Sequence, residues 1–98
     1  MKLAKISTEE EYYQLRKQLE ESGFTTPFWL GGTKIDDPEF YWFGHNAAVS
    51  FTAWNSNEPN NSGGKESCIA AQPKNDYKWN DEDCSIQFYF ICEGMVEQ

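Results

Sequence analysis

Basic residues are scarce in this chain: Lys and Arg number 8 against 16 Asp and Glu, for a formal charge of -8. Nucleic acids and anionic membrane surfaces are bound by displacing counterions with a basic footprint, so neither is an expected partner. Long apolar runs are missing too, and no stretch reaches the length that crosses a bilayer. Histidine occurs once, as His45 in the turn-like Gly44-His45-Asn46, and reads as a surface residue. Cysteine occurs 3 times with no Cys-x-x-Cys pair, which disfavours a zinc site built from Cys68, Cys84, Cys92 and His45. No nucleophile sits beside a base partner, and the clustered acids lie in a polar stretch where nothing suggests a raised pKa. An enzyme is therefore not expected. There is no internal repeat, low-complexity tail or linker, and 98 residues leave room for one domain, 1–98.

Aromatic residues are plentiful. Trp, Tyr and Phe number 4, 5 and 7, and each can remove a large apolar area from water, which compensates for a small core. Leu3 to Ile6 reads as a short strand. Ser7-Thr8-Glu9-Glu10 reads as a capping box, Ser7 bonding the Glu10 amide, and Tyr12, Leu15 and Leu19 then place one apolar stripe on a helix that Gly23 ends. Phe28 to Gly32, Phe40 to Phe43, Cys68 to Ala71, Tyr77 to Trp79 and Phe88 to Cys92 read as strands, with a turn at Asp36-Asp37-Pro38. Trp79 is expected in the core and Trp54 beneath the following loop. The fold class is α+β: small antiparallel sheets, one recognisable helix and a long loop.

That loop, Asn55 to Gly64, holds only Asn, Ser, Gly, Glu and Pro. A run with no apolar side chain has nothing to pack with and needs an outside organiser. Glu58 and Asn60 flank Pro59, Glu66 returns eight positions after Glu58, and Trp79-Asn80-Asp81 supplies a second cluster. Glu58, Asn60, Glu66, Asn80 and Asp81 make an all-oxygen donor set, the chemistry of Ca2+ rather than of zinc or copper. Carboxylates only accept hydrogen bonds while amides also donate, so Glu58 with Asn60, and Glu66 with Asn80, present paired acceptors and donors. Two neighbouring sugar hydroxyls match that pattern, each giving a lone pair to the ion, donating to a glutamate and accepting from an asparagine.

Glu58-Pro59-Asn60, Glu66 two residues before Cys68, Trp79-Asn80-Asp81 before Cys84, and Phe90-Ile91-Cys92-Glu93 resemble, in order and approximate spacing, the C-type lectin domain family. Trp29-Leu30-Gly31-Gly32 is similar to that family's central Trp-Ile-Gly-Leu strand, and Leu3-Ala4-Lys5-Ile6 to its Leu-Ala-x-Ile strand. The resemblance implies a calcium-dependent carbohydrate-binding domain. Its site residues for metal and carbohydrate are Glu58, Asn60, Glu66, Asn80 and Asp81, and the Glu-Pro-Asn order implies mannose, glucose, fucose or N-acetylglucosamine rather than galactose. It further implies a cis peptide bond before Pro59 and a Cys68–Cys84 disulfide. Positions of an auxiliary calcium site fall on Lys34, Pro38, Asn61 and Ser67, none a carboxylate, so one Ca2+ is expected, with Asp36 and Asp37 an unconvincing substitute.

The family's partner for Cys92 has no counterpart here, which leaves Cys92 unpaired. The expectation is an N-terminally shortened domain that lacks the first strand and helix and has an exposed sheet edge. Met1 to Lys5 carries no apolar run of the kind a secretory leader needs, while the cysteines point to an oxidising compartment. An extracellular, secreted chain is the expectation that reconciles the two. Glycans on glycoproteins or microbial surfaces are the implied partners, with several copies supplying avidity. The alternative is a lectin-like domain that binds protein without sugar. Asn60-Asn61-Ser62 also satisfies the N-glycosylation pattern on a proposed ligand, so Asn60 is expected to be unmodified in active material.

Overall fold

The computed structural model describes residues 3–91 apart from Phe24, Asp36, Asn46, Ser62 and Gly63. The expected Cys92 end of the last strand, the unpaired state of Cys92, and half of the Asp36-Asp37 pair lie outside the described residues.

Helix α1 spans Glu9–Ser22 and buries Tyr12, Leu15 and Leu19, the stripe anticipated from their spacing. Its capping box begins one residue later than the sequence suggests. Thr8 Oγ1 accepts from the Glu11 amide at 3.1 Å, and Glu11 Oε1 accepts from Thr8 N–H at 3.2 Å and Ser7 N–H at 2.7 Å. One glutamate thus satisfies two backbone donors ahead of the helix, which Ser7 and Glu10 could not do together. Gly23, at φ 78, takes the left-handed C-cap.

The strands are β1 (Phe28–Thr33), β2 (Tyr41–Trp42), β3 (Ala47–Ala48), β4 (Glu66–Gln72), β5 (Lys78–Asp83) and β6 (Tyr89–Phe90). They join in a single sheet rather than several, in the order β3-β2-β1-β4-β5, with β6 also on β1. All pairings are antiparallel except β1 with β6. β1 lies at the centre because it can be approached closely: a methyl on Gly32 would collide with the Ile69 side chain. Leu3 to Ile6 is not a strand. It is held at single points, Ala4 N–H donating to Ile91 at 2.7 Å and Gly31 N–H to Ala4 at 2.9 Å, which buries Ala4 and Ile6.

The core gathers Ile6, the helix stripe, Phe28, Leu30, Trp42, Ile69, Trp79 and Ile91. Trp79, fully buried, is its hub. Trp42, Phe51 and Trp54 meet it edge-on at 5.8, 6.0 and 6.0 Å between ring centres, a favoured arrangement because ring edges are positive and faces negative. Trp54, expected beneath the loop, packs against this core through Trp79 and Phe40.

Candidate functional site

The long polar loop leaves and rejoins this core at fixed points. Trp79 N–H donates to Ala53 at 2.8 Å and Asn55 N–H to Trp79 at 2.9 Å, so the loop starts clamped along the outer side of β5. It then turns through Asn57 at φ 66 and a cis peptide bond between Glu58 and Pro59. Asn61, at φ 46, accepts from Gly64 N–H at 2.8 Å through its carbonyl and from Glu66 N–H at 3.0 Å through Oδ1. Asn tolerates this left-handed backbone because its short polar side chain can bond locally. Glu66 opens β4, and a Cys68–Cys84 disulfide ties that strand to the end of β5.

Asp81 draws the loop onto the sheet. It pairs with Ile69 inside β5 and is almost wholly buried, and its two carboxylate oxygens accept from Asn60 N–H at 3.0 Å and Asn61 N–H at 2.7 Å. The strand therefore runs through Asn80 and Asp81 rather than stopping at Trp79. Two backbone amides thus satisfy a carboxylate that burial has taken away from water.

The five sequence-predicted residues fall into two groups. Glu58, Asn60 and Asp81 come together directly, with Asn60 Nδ2 donating to Glu58 Oε2 at 3.3 Å. Glu66 and Asn80 lie on adjacent strands: Glu66 is close enough for its charge to act on Glu58, and Asn80 Oδ1 accepts from Asn55 Nδ2 at 3.1 Å. Asn55 and Asn61 are supporting residues that sequence reasoning missed. Their signal was the Asn-rich loop itself, but which Asn bonds within the loop and sheet is visible only in the fold. Glu82, paired with Cys68, was also missed; burial, then Glu66, pushes its carboxyl up, against a hydrogen bond from Asn80.

The electrostatics correct the expectation that no acid here has a raised pKa. Burial, then a proton shared with Asp81, then the charges of Asp81 and Glu66, push Glu58 up to about 7, against a lowering bond from the Asn60 backbone. The buried Oε1 of Glu58 has no hydrogen-bond partner among the described residues. A buried acceptor with spare lone pairs, beside further carboxylates, is an arrangement that a hard cation relieves. The donor types fit calcium in this sense. As the side chains stand, however, no three His, Cys, Asp or Glu among the described residues enclose an ion-sized position.

Comparison with known proteins agrees with this architecture. The family model described as "Lectin C-type domain" matches residues 1–94. Ladderlectin of Oncorhynchus mykiss is 33% identical over 88% of this chain and 46% of its own length; perlucin of Haliotis laevigata is 31% identical over 93% and 59%. The chain thus spans about half the length of these relatives. Among solved structures, the mouse scavenger receptor C-type lectin carbohydrate-recognition domain superposes with a TM-score of 0.79 at 25% identity, covering 92% of this chain and 68% of that one. The carbohydrate-recognition domain of cow CD23, determined in the presence of a GlcNAc2Man3 oligosaccharide, gives 0.75 at 28%, covering 90% and 64%. These relatives are lectins, not enzymes. With the family model matching residues 1–94, and with helix α1, the predominantly antiparallel sheet and the Cys68–Cys84 bridge in place among the described residues, the chain belongs to the C-type lectin domain family.

Proposed function

We propose that this chain binds carbohydrate through one calcium ion held by Glu58, Asn60, Glu66, Asn80 and Asp81, and that it prefers the vicinal hydroxyls of mannose, glucose, fucose or N-acetylglucosamine. The observation that carries this reading is the buried, unbonded Oε1 of Glu58 within an otherwise hydrogen-bonded all-oxygen cluster. Bound calcium supplies a centre that takes six to eight oxygens, more than the protein fills, so hydroxyl oxygens complete it. Glu58 and Glu66 accept the hydroxyl protons, and Asn60 and Asn80 donate to the same oxygens. The solved carbohydrate-recognition domains similar to this chain support a sugar as the ligand class.

The setting is extracellular, on glycans of glycoproteins or microbial surfaces. Few hydroxyls are engaged at such a site, so single sugars bind weakly and several copies gain by avidity. Asn60 stays unmodified in active material, because a glycan on Nδ2 would displace its contact with Glu58.

The test is a calorimetric calcium titration, repeated with mannose and then galactose, on this chain and on Asn80→Asp. Saturable calcium binding that mannose strengthens and galactose does not is the expected result. Asn80→Asp is expected to keep calcium and lose mannose, because a carboxylate removes a donor while retaining an oxygen. A folded chain that binds no calcium would overturn the reading in favour of protein recognition.

A further inference from the structure

Outside the carboxylate loop, the β3 end of the sheet carries features that the sugar site does not use. β3 is the last strand on its side. Val49 N–H donates to Phe40 at 3.1 Å, and the register sets Tyr41 opposite Ala48 and Trp42 opposite Ala47. Inward and outward groups alternate along an antiparallel ladder, so the N–H and C=O of Ala48 point away from the sheet. Beside this edge lies an open groove of about 670 Å³, lined by Ala48 and Phe40, by the apolar Ile35 and Phe43 and by the acidic Asp37 and Glu39. Ile35 is 51% exposed and Phe43 60%, high values for large apolar side chains.

The charge there is one-sided. Asp37 Oδ1 accepts from Glu39 N–H at 2.9 Å, fixing the turn, but neither carboxylate forms an ion pair among the described residues. Lys34, the nearest cation in sequence, lies instead over the Phe40 ring, 5.2 Å from its centre. A second copy of this chain would bring the same two acids and a formal charge of -8 to the same edge, which opposes self-pairing. A basic partner meets no such repulsion.

We infer that the β3 edge and its groove dock an extended, basic and apolar segment of a partner protein, which adds as a strand at Ala48, seats apolar side chains against Ile35 and Phe43, and pairs lysines or arginines with Asp37 and Glu39. Main-chain pairing supplies affinity in such strand addition, while alternate side chains supply specificity. The carboxylate loop takes no part in it, so it neither requires calcium nor competes with sugar.

The test uses the whole chain in EDTA and a fluorescein-labelled alternating lysine-valine peptide, with an alternating glutamate-valine peptide as control, followed by anisotropy. The lysine-valine peptide is expected to bind, more weakly as salt is raised, and the control not to bind. The double variant Asp37→Asn, Glu39→Gln keeps the turn and is expected to weaken binding about two- to thirtyfold, the worth of two exposed ion pairs. Ala48→Pro removes an outward N–H and no native bond, and is expected to abolish binding while leaving the near-ultraviolet circular dichroism unchanged. Equal binding of both peptides, binding of neither, or full binding by Ala48→Pro would overturn the inference. So would concentration-dependent self-association that Ala48→Pro removes, since it would assign the edge to a second copy.

Discussion

Trp79 and Asp81 lie two residues apart on β5, both buried, in surroundings of opposite kind. Around Trp79 the apolar packing is closed: three rings meet it edge-on, its backbone N–H and C=O clamp Ala53 and Asn55, and only its indole Nε1 lacks a hydrogen-bond partner among the described residues. The Asp81 carboxylate accepts from the backbone amides of Asn60 and Asn61, but the cluster around it is not balanced, because Glu58 brings a second carboxyl against the first. One strand thus carries a scaffold packed by apolar contact and, immediately beyond it, a cluster that lacks positive charge. The loop therefore does not hold the domain together; the domain holds the loop, at a standing electrostatic cost that a cation or a proton removes.

The scaffold side should break first and hardest. Trp79→Ala is expected to cost about 3–5 kcal/mol in urea unfolding, the range for deleting a large buried aromatic, and to cost it in EDTA. If the loss appeared only with calcium present, Trp79 would belong to the site and the contrast would fail. Opening the disulfide by Cys68→Ala with Cys84→Ala removes a closure over a sequence separation of 16, for which about 3 kcal/mol is expected. That change should also loosen Glu66, because it unties β4 from the end of β5.

Substitutions on the loop side are expected to split stability from binding. Asp81→Ala strands the Asn60 and Asn61 amides and should cost about 1.5–3 kcal/mol, the worth of bonds to a charged acceptor, together with loss of calcium binding by calorimetry. Asn55→Ala removes only the bond to Asn80 Oδ1, for about 1 kcal/mol or less. Its expected signature is weakened mannose binding with calcium binding nearly intact, since Asn80 would be less well aimed. Equal loss of both ligands would mean that Asn55 supports the loop as a whole.

Legibility from sequence follows the same division. Helix α1, β1 and the burial of Trp79 were readable because apolar spacing reports a face that must be buried. β3 was not, since Ala47-Ala48 carries no strand preference and pairs only because Tyr41 and Trp42 lie alongside. The five residues proposed as oxygen donors stand out in the sequence as residue types in a motif order. Their division into a contacting trio and a flanking pair was not, because Asp81 reaches Asn60 and Asn61 across 20 positions or more of chain. The raised pKa of Glu58 was invisible for the same reason, being caused by burial and by Asp81 rather than by its neighbours in sequence.

The smallest expected effect is the sign of a pH slope, and it sharpens the contrast most. Glu58 is pushed from 4.5 to about 7 in the folded, metal-free chain, so between these values the folded state binds more protons than the unfolded one. Stability in EDTA should therefore rise as pH falls from about 7 toward 4.5, and the gain should be lost again as pH rises through 7. Glu82, raised by burial, adds to the same trend; Asp83, held below its ordinary 3.8 by Ser85, gives up its contribution only at lower pH, outside this window. With saturating calcium the slope should reverse, because the ion binds only ionised carboxyls and its contribution fades with acid. Partial exposure and salt keep the metal-free slope shallow, so the sign is what the melting temperatures at pH 8 and pH 5 must report. Glu58→Gln should flatten the EDTA slope and raise stability at pH 8, since a neutral amide no longer opposes Asp81. If the wild-type slopes in EDTA and in calcium ran the same way, Glu58 would not be where proton and ion compete.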